Sequence, residues 1–290
     1  MKNAKKYLVL SLLAFTIMSC SSDTNSTAAN NVTLAFVNTF GDLPLLLGDK
    51  NATNATVNTS AEGQVHHFSE LKYVISNIRL VKNDGKEIPY NINNLDLGAT
   101  VIDQAKIETL QYVLRDIPKG EYKKIKFGLG VRNDLNTLNQ TKFPLFYAAA
   151  GANDTQMMWE WGTGYRFTKI EGFYEADHKE LSIHTGSTIE DGEEGKSVQG
   201  VDAYRDVTLD LPILARVGDK TPKIVIKADF IHLLSGKSNT IKLSTGTGSD
   251  DNATPNVHTA VQMVKFVDNL GGNGSSDLSG MFSVLRVENN

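Results

Sequence analysis

Apolar and polar residues alternate with period two along most of the chain, the pattern of strands that bury one face. Val32, Leu34 and Phe36 alternate with Thr33 and Ala35. Ile125, Phe127, Leu129 and Val131 alternate with Lys124, Lys126, Gly128 and Gly130, and Val207, Leu209 and Leu211 with Asp206, Thr208 and Asp210. The same reading predicts strands over 72–81, 165–173, 181–184, 223–227 and 240–244. Turn clusters punctuate them at Asn83-Asp84-Gly85, Pro118-Lys119-Gly120 and residues 192–195. Strands at this spacing, each with one polar face, argue for an all-β fold, an antiparallel sandwich or barrel. Helix is sparse. Ala260, Val264, Val267 and Leu270 recur at helical spacing before Gly271-Gly272, which predicts one short helix near the C-terminus. Residues 230–234 suit a single helical turn. No repeat of fixed period and no composition shift interrupts 32–290, so one domain is expected there.

The first thirty residues follow another pattern. Lys2, Lys5 and Lys6 precede an apolar run over 7–18, which reaches Ser19-Cys20. This is the build of a secretory signal peptide over 1–19. The run is shorter than the ~20 apolar residues of a comfortable bilayer span. Cys20 is the single cysteine of the chain and falls where a lipoprotein is acylated. It is the expected lipidation site and mature N-terminus, attached to the membrane through its lipid. Residues 20–31 are polar and without periodicity, a flexible tether.

Cleavage there removes three of the 29 basic residues and none of the 33 acidic ones, leaving a formal charge of −7. No Lys/Arg cluster is dense enough for nucleic acid, where a basic face supplies the affinity. With one cysteine no intramolecular disulfide forms, so burial must hold the fold in an oxidising compartment.

The common catalytic signatures are missing: no G-x-S-x-G, no H-E-x-x-H, no Walker loop. No nucleophile–base pair stands out, and an enzyme is not expected. Asp250-Asp251-Asn252 and 190–194 are oxygen-rich but lack calcium-loop spacing, and read as solvated loops. The histidines are better candidates, since imidazole is the commonest protein ligand for copper and zinc. His66 and His67 are adjacent, so on a strand only one of them faces a given side. His184 lies on the opposite face from Leu181 and Ile183, with Gly186 close by. The densest segment is Met157-Met158-Trp159-Glu160-Trp161-Gly162-Thr163-Gly164-Tyr165, which holds both tryptophans. Trp159 and Trp161 share one face if extended, and serve equally as a core-filling pair or as a ligand platform.

Several stretches together resemble the MbnP-like proteins, the family named for the methanobactin-associated periplasmic copper-binding protein. They are Leu34-Ala35-Phe36 with Gly41 and 45–48, and Phe68-Ser69-Glu70-Leu71-Lys72-Tyr73-Val74-Ile75-Ser76-Asn77-Ile78. The tryptophan segment with Ile170-Glu171-Gly172, then His184-Thr185-Gly186-Ser187, Val267-Asp268-Asn269 and Met281-Phe282-Ser283-Val284, follow in order. The matches run over nearly all of 32–285, and the tryptophan motif and the Ile75-Ser76-Asn77 strand are the most specific. The resemblance implies a Greek-key β-sandwich that binds copper, and a soft site of imidazoles with Met157 or Met158 nearby would suit Cu(I). The resemblance also implies that a partner di-haem protein of the cytochrome c peroxidase type oxidises a tryptophan, Trp159 or Trp161, to kynurenine. The new amine would then join His184 as a ligand. The chain departs from the pattern at Asn38, where family members often carry a histidine. His66 or His67 is the available replacement.

The expected protein is thus a lipoprotein of the cell envelope, at the outer membrane, that captures or stores copper without catalysis. The alternative is a surface binding or assembly module that offers the Trp159/Trp161 face to glycan or protein.

Overall fold

The computed structural model describes residues 30–137, 139–150, 156–159, 164–191, 197–246, 251–272 and 280–290. Cys20, Trp161 and the turn at 192–195 lie outside the described residues. The first elements are β1 (Val32–Phe40), β2 (Leu43–Pro44), β3 (Asn58–Thr59), β4 (Val65–Lys82), β5 (Glu87–Pro89) and α1 (Leu95–Gly98). Next come β6 (Thr100–Asp103), β7 (Gln111–Leu114), β8 (Gly120–Leu129), α2 (Pro144–Ala150), β9 (Arg166–Tyr174) and β10 (Lys179–Asp191). The chain closes with β11 (Ser197–Asp202), β12 (Arg205–Val217), β13 (Pro222–Asp229), α3 (Ala260–Gly271) and β14 (Phe282–Asn289).

Two sheets form a sandwich. The smaller runs β14-β13-β1-β2, with β7 also on β1; the larger runs β11-β10-β9-β4-β8-β12, with β3, β5 and β6 also on β4. The alternation read from the sequence faces the space between them. Phe36 of β1 meets Tyr73 of β4 and Phe127 of β8 at ring-centroid distances of 6.2 and 6.3 Å, and Phe127 meets Phe282 of β14 at 5.1 Å. Edge-to-face pairs of this kind add to the area they bury. Ile125, Phe127, Leu129 and Val131 are fully buried. Lys126 points away and pairs with Glu87.

Three features differ from the expectation. The pairing is antiparallel throughout except at β1, which runs parallel to β13, Phe36 beside Ile226. Residues 240–244 make no strand, only isolated bridges at their ends. The Gln64 side chain occupies their backbone instead: its Oε1 accepts from Leu243 N at 2.6 Å and its Nε2 donates to Leu243 O at 2.9 Å. Two helical pieces, α1 and α2, lie outside the single expected helix. That helix is α3, whose apolar face is Met263, Phe266, Val267 and Leu270. Gly272 ends it with φ +86°, the left-handed region that glycine enters without steric cost. At its end Asp268 accepts from Arg205 at 2.7 Å, and Asn269 Nδ2 donates to the carbonyls of Leu233 and Asn239. The Val267-Asp268-Asn269 motif therefore ties α3 to both sheets' connections.

Candidate functional site

The outer face of the larger sheet collects polar side chains where β4, β9 and β10 lie side by side. Register places Lys72, Lys169 and His184 in one row across the three strands. Glu70, Glu171 and Ser182 form the next row, two residues along on the same face. Glu70 accepts from Lys169 Nζ at 2.9 and 2.8 Å and pairs with Lys72 Nζ at 2.6 Å. Lys169 also donates to Gln156 Oε1 at 3.1 Å. Both lysines are buried. Burial alone would raise the Glu70 pKa, but the hydrogen bonds and charges of the two ammonium groups outweigh it and hold the carboxyl below its ordinary range.

Beside this pair, His184 Nε2 lies 2.5 Å from Glu171 Oε1 and 3.3 Å from Ser182 Oγ. A carboxylate accepts, so Nε2 carries the proton and the neutral ring keeps its lone pair on Nδ1. A carboxylate behind the imidazole is the usual support of a metal-binding histidine.

The segment 156–159 folds back over these residues. Arg166 N donates to Met157 O at 2.8 Å and Trp159 N to Gly164 O at 3.0 Å, so the segment pairs with the start of β9. Trp159 comes to rest edge-on to His184, ring centroids 5.9 Å apart, with the Arg166 guanidinium 4.3 Å over the indole. Trp159 is only 4% exposed, which removes it as an open stacking platform for a sugar. Two glycines of the recognised motifs make the arrangement possible. A Cβ on Gly186 would lie 3.1 Å from Trp159 Nε1 and 3.2 Å from Tyr165 O, so the bare backbone two residues after His184 leaves room for the indole. A Cβ on Gly172 would meet His67 O at 2.2 Å, so the residue after Glu171 lets β4 bulge against β9.

The structure brings Trp159 and His184 together and keeps the other candidates apart from them. His67 faces outward but sits opposite Phe173, four residues along β9 from Lys169. At ~3.3 Å per residue that is roughly 13 Å from the His184 row. His66 faces the other way, into the core, 5.4 Å from the Phe40 ring and 5.9 Å from Phe68. Its Nδ1 makes a 3.3 Å contact with Gln64 O, and burial drives its pKa down to about 4. Asn38 is a hub of interior hydrogen bonds. Its Nδ2 donates to Gln104 Oε1 and its Oδ1 accepts from Tyr73 Oη, each at 2.8 Å. Among the described residues no three His, Cys, Asp or Glu side chains gather as a metal cluster. Glu70, Lys72, Lys169 and Arg166 had no assigned role from sequence. The available signal was the presence of buried charges inside strands otherwise made of apolar residues.

A mixed β-sandwich with a covered indole–imidazole–carboxylate group on the outer face of its larger sheet is the class that fold and site define. The model of one family, MbnP, matches residues 29–266, and the chain belongs to the MbnP family. Among solved structures it is similar to MbnP from Methylosinus trichosporium, at 17% identity and a TM-score of 0.55, covering 88% of this chain and 98% of that one. At that identity the likeness concerns the fold. No curated protein matches the sequence.

Proposed function

We propose that this chain is a membrane-anchored lipoprotein that captures or stores copper in the cell envelope and catalyses no reaction. The observation that carries the reading is the contact of Trp159 with His184, whose imidazole is backed by Glu171. Imidazole is a good copper ligand, and Nδ1 of His184 is the nitrogen with a lone pair to give. Indole nitrogen is a donor only and supplies no lone pair. The MbnP-family resemblance suggests the missing donor: oxidation of the neighbouring ring to kynurenine by a di-haem peroxidase-like partner would add an amine ligand. The contact of Trp159 with His184 favours Trp159 for this role; Trp161 is outside the described residues. The signal-like residues 1–19 and Cys20 support attachment through an acylated Cys20, which this reading assigns to the outer membrane. No helix among the described residues is long and apolar enough to cross a membrane.

The test is a competition titration of the mature protein against a Cu(I) chelator, before and after exposure to a di-haem partner, with peptide mass analysis of Trp159. His184→Ala should weaken copper binding by more than the ~100-fold upper range of a supporting-residue change, with the fold intact. A wild-type protein that binds no copper tighter than micromolar in either state would sink the reading.

A further inference from the structure

A second pair of imidazoles lies on the same outer face, at the end of the sheet away from Trp159. His67 of β4 and His178, in the turn between β9 and β10, have ring centroids 6.4 Å apart and ring planes at 78°. The Nε2 atom of His67 is 3.1 Å from the backbone carbonyl of Asp49. A carbonyl can only accept, so Nε2 holds the proton and Nδ1 of the neutral ring is left with the lone pair. A backbone carbonyl that fixes the far nitrogen is the arrangement found behind metal-bound histidines. The ring is further held by Phe173, 5.5 Å away.

His178 is the more telling member. It adopts φ +53°, in the left-handed region that histidine enters more readily than most residues, and Glu175 at the start of the same turn has φ +61°. The turn holds the half-buried His178 ring facing His67 across the strand end. The turn's carboxylates are occupied otherwise: Glu175 and Asp177 both face Lys179, at 2.5 and 3.5 Å. The local pair is thus two imidazoles whose neighbouring carboxylates are engaged with Lys179.

We infer that His67 and His178 form a separate binding site for an imidazole-preferring divalent cation such as Zn2+. Metal–nitrogen bonds of ~2.0 Å put two rings that share an ion about 5–6 Å apart. The half-buried His178 ring reaches that spacing by a movement of about an ångström. Two protein ligands leave the remaining positions to water, so affinity is micromolar rather than that of a closed structural site. The site is separate from His184, whose row crosses β9 at Lys169, four residues from the Phe173 that faces His67.

Isothermal titration of the mature protein with Zn2+ in a non-chelating buffer, alongside thermal melts, decides it. Wild type and His184→Ala should each bind one Zn2+ at this site with micromolar affinity and melt higher with the ion. His178→Asn, which accepts the left-handed backbone, should melt at least as high as wild type without zinc and lose more than about 100-fold in affinity. His67→Gln should lose affinity to the same degree; if it unfolds, His178→Asn alone decides. Wild-type binding no tighter than millimolar, or affinity unchanged in His178→Asn, overturns the inference.

Discussion

His66 and His67 are consecutive on one strand and occupy different media. His66 faces the space between the sheets, against Phe40 and Phe68, and burial lowers its pKa to about 4. His67 faces outward, onto a surface that is covered yet polar, and its ring meets Asp49, Phe173 and His178. The same contrast holds along β4 as a whole. Its inward residues, Phe68, Tyr73 and Ile75, pack on aromatics and aliphatics of the opposite sheet, whereas of its outward residues Lys72 is buried and Glu70 partly so, both among charges. Burial and apolarity are therefore separate properties in this protein. The inner face is dry because it is a core. The outer face is shielded around Lys169 and His184 because the segment 156–159 lies over it, and that polar face carries the residues of both proposed sites.

The largest effects expected come from breaking the inner face. Phe127→Ala removes a fully buried ring that touches both Phe36 and Phe282, and should cost about 3–5 kcal/mol in denaturant unfolding. Lys126→Ala, one residue away on the outward side, should cost less than about 1 kcal/mol, since it loses only a half-exposed pair with Glu87. Equal costs would mean that the two faces do not differ as described. On the outer face, Glu70→Gln leaves Lys72 and Lys169 buried side by side with one counter-charge fewer. Breaking a buried pair from one side is expensive, and about 3 kcal/mol is expected here. A cost under about 1 kcal/mol would show that water reaches the outer face freely.

The inner face was largely legible in the sequence and the outer face was not. Period-two alternation located β1, β8, β9, β12 and β13, because a strand with one wet side writes its fold into its polarity. β4 extends further towards its N-terminus than the predicted 72–81. The added stretch over 65–71 has His, Ser and Glu where alternation would put apolar or exposed residues, since both its faces are covered. Short strands such as β2, β3 and β5 carry two or three residues and leave no period to detect. The failed strand at 240–244 has the correct alternation, but the Leu243 N–H and carbonyl are taken by the side chain of Gln64, distant in sequence, and Ile241 N and Ser244 N bond to loop carbonyls of Leu234 and Asp251. The meeting of Trp159 and His184 was suggested by family motifs. The reason for it, room left by Gly186 and a bulge permitted by Gly172, is a matter of close approach that no local pattern carries.

The next prediction concerns pH. With the folded His66 pKa near 4 and an ordinary value of 6.5, the unfolded chain takes up the proton more readily than the folded one. The stability contribution of the neutral ring is full above pH 6.5 and is lost as pH falls towards 4. The difference corresponds to about 3 kcal/mol at most. Unfolding free energies measured from pH 7 to pH 4 should decline by that order. In His66→Leu the decline should shrink, because nothing on the inner face then needs to stay neutral. The variant also removes Nε2, a buried nitrogen with no hydrogen-bond partner, so its stability at pH 7 should hold near that of wild type. An unchanged acid limb in His66→Leu would place the titrating group elsewhere.

The smallest effect on stability is expected at Gly186, and it bears most directly on the covered polar face. An added methyl would stand 3.1 Å from the Trp159 indole nitrogen and 3.2 Å from the Tyr165 carbonyl oxygen. Those separations are tight without being prohibitive, and a shift of a few tenths of an ångström relieves them. Overpacking of this degree costs about 1 kcal/mol, the low end of its usual range. The indole is the mobile party, since Tyr165 O belongs to the strand backbone. Gly186→Ala should therefore leave the melting temperature within a few degrees of wild type. It should nevertheless change tryptophan fluorescence and weaken copper binding, because the ring would be pushed off its edge-on contact with His184. Loss of stability beyond about 3 kcal/mol would show instead that the strand backbone, and not the indole, has to give. Unaltered fluorescence and copper affinity together would mean that Trp159 tolerates displacement, and that its contact with His184 is packing alone.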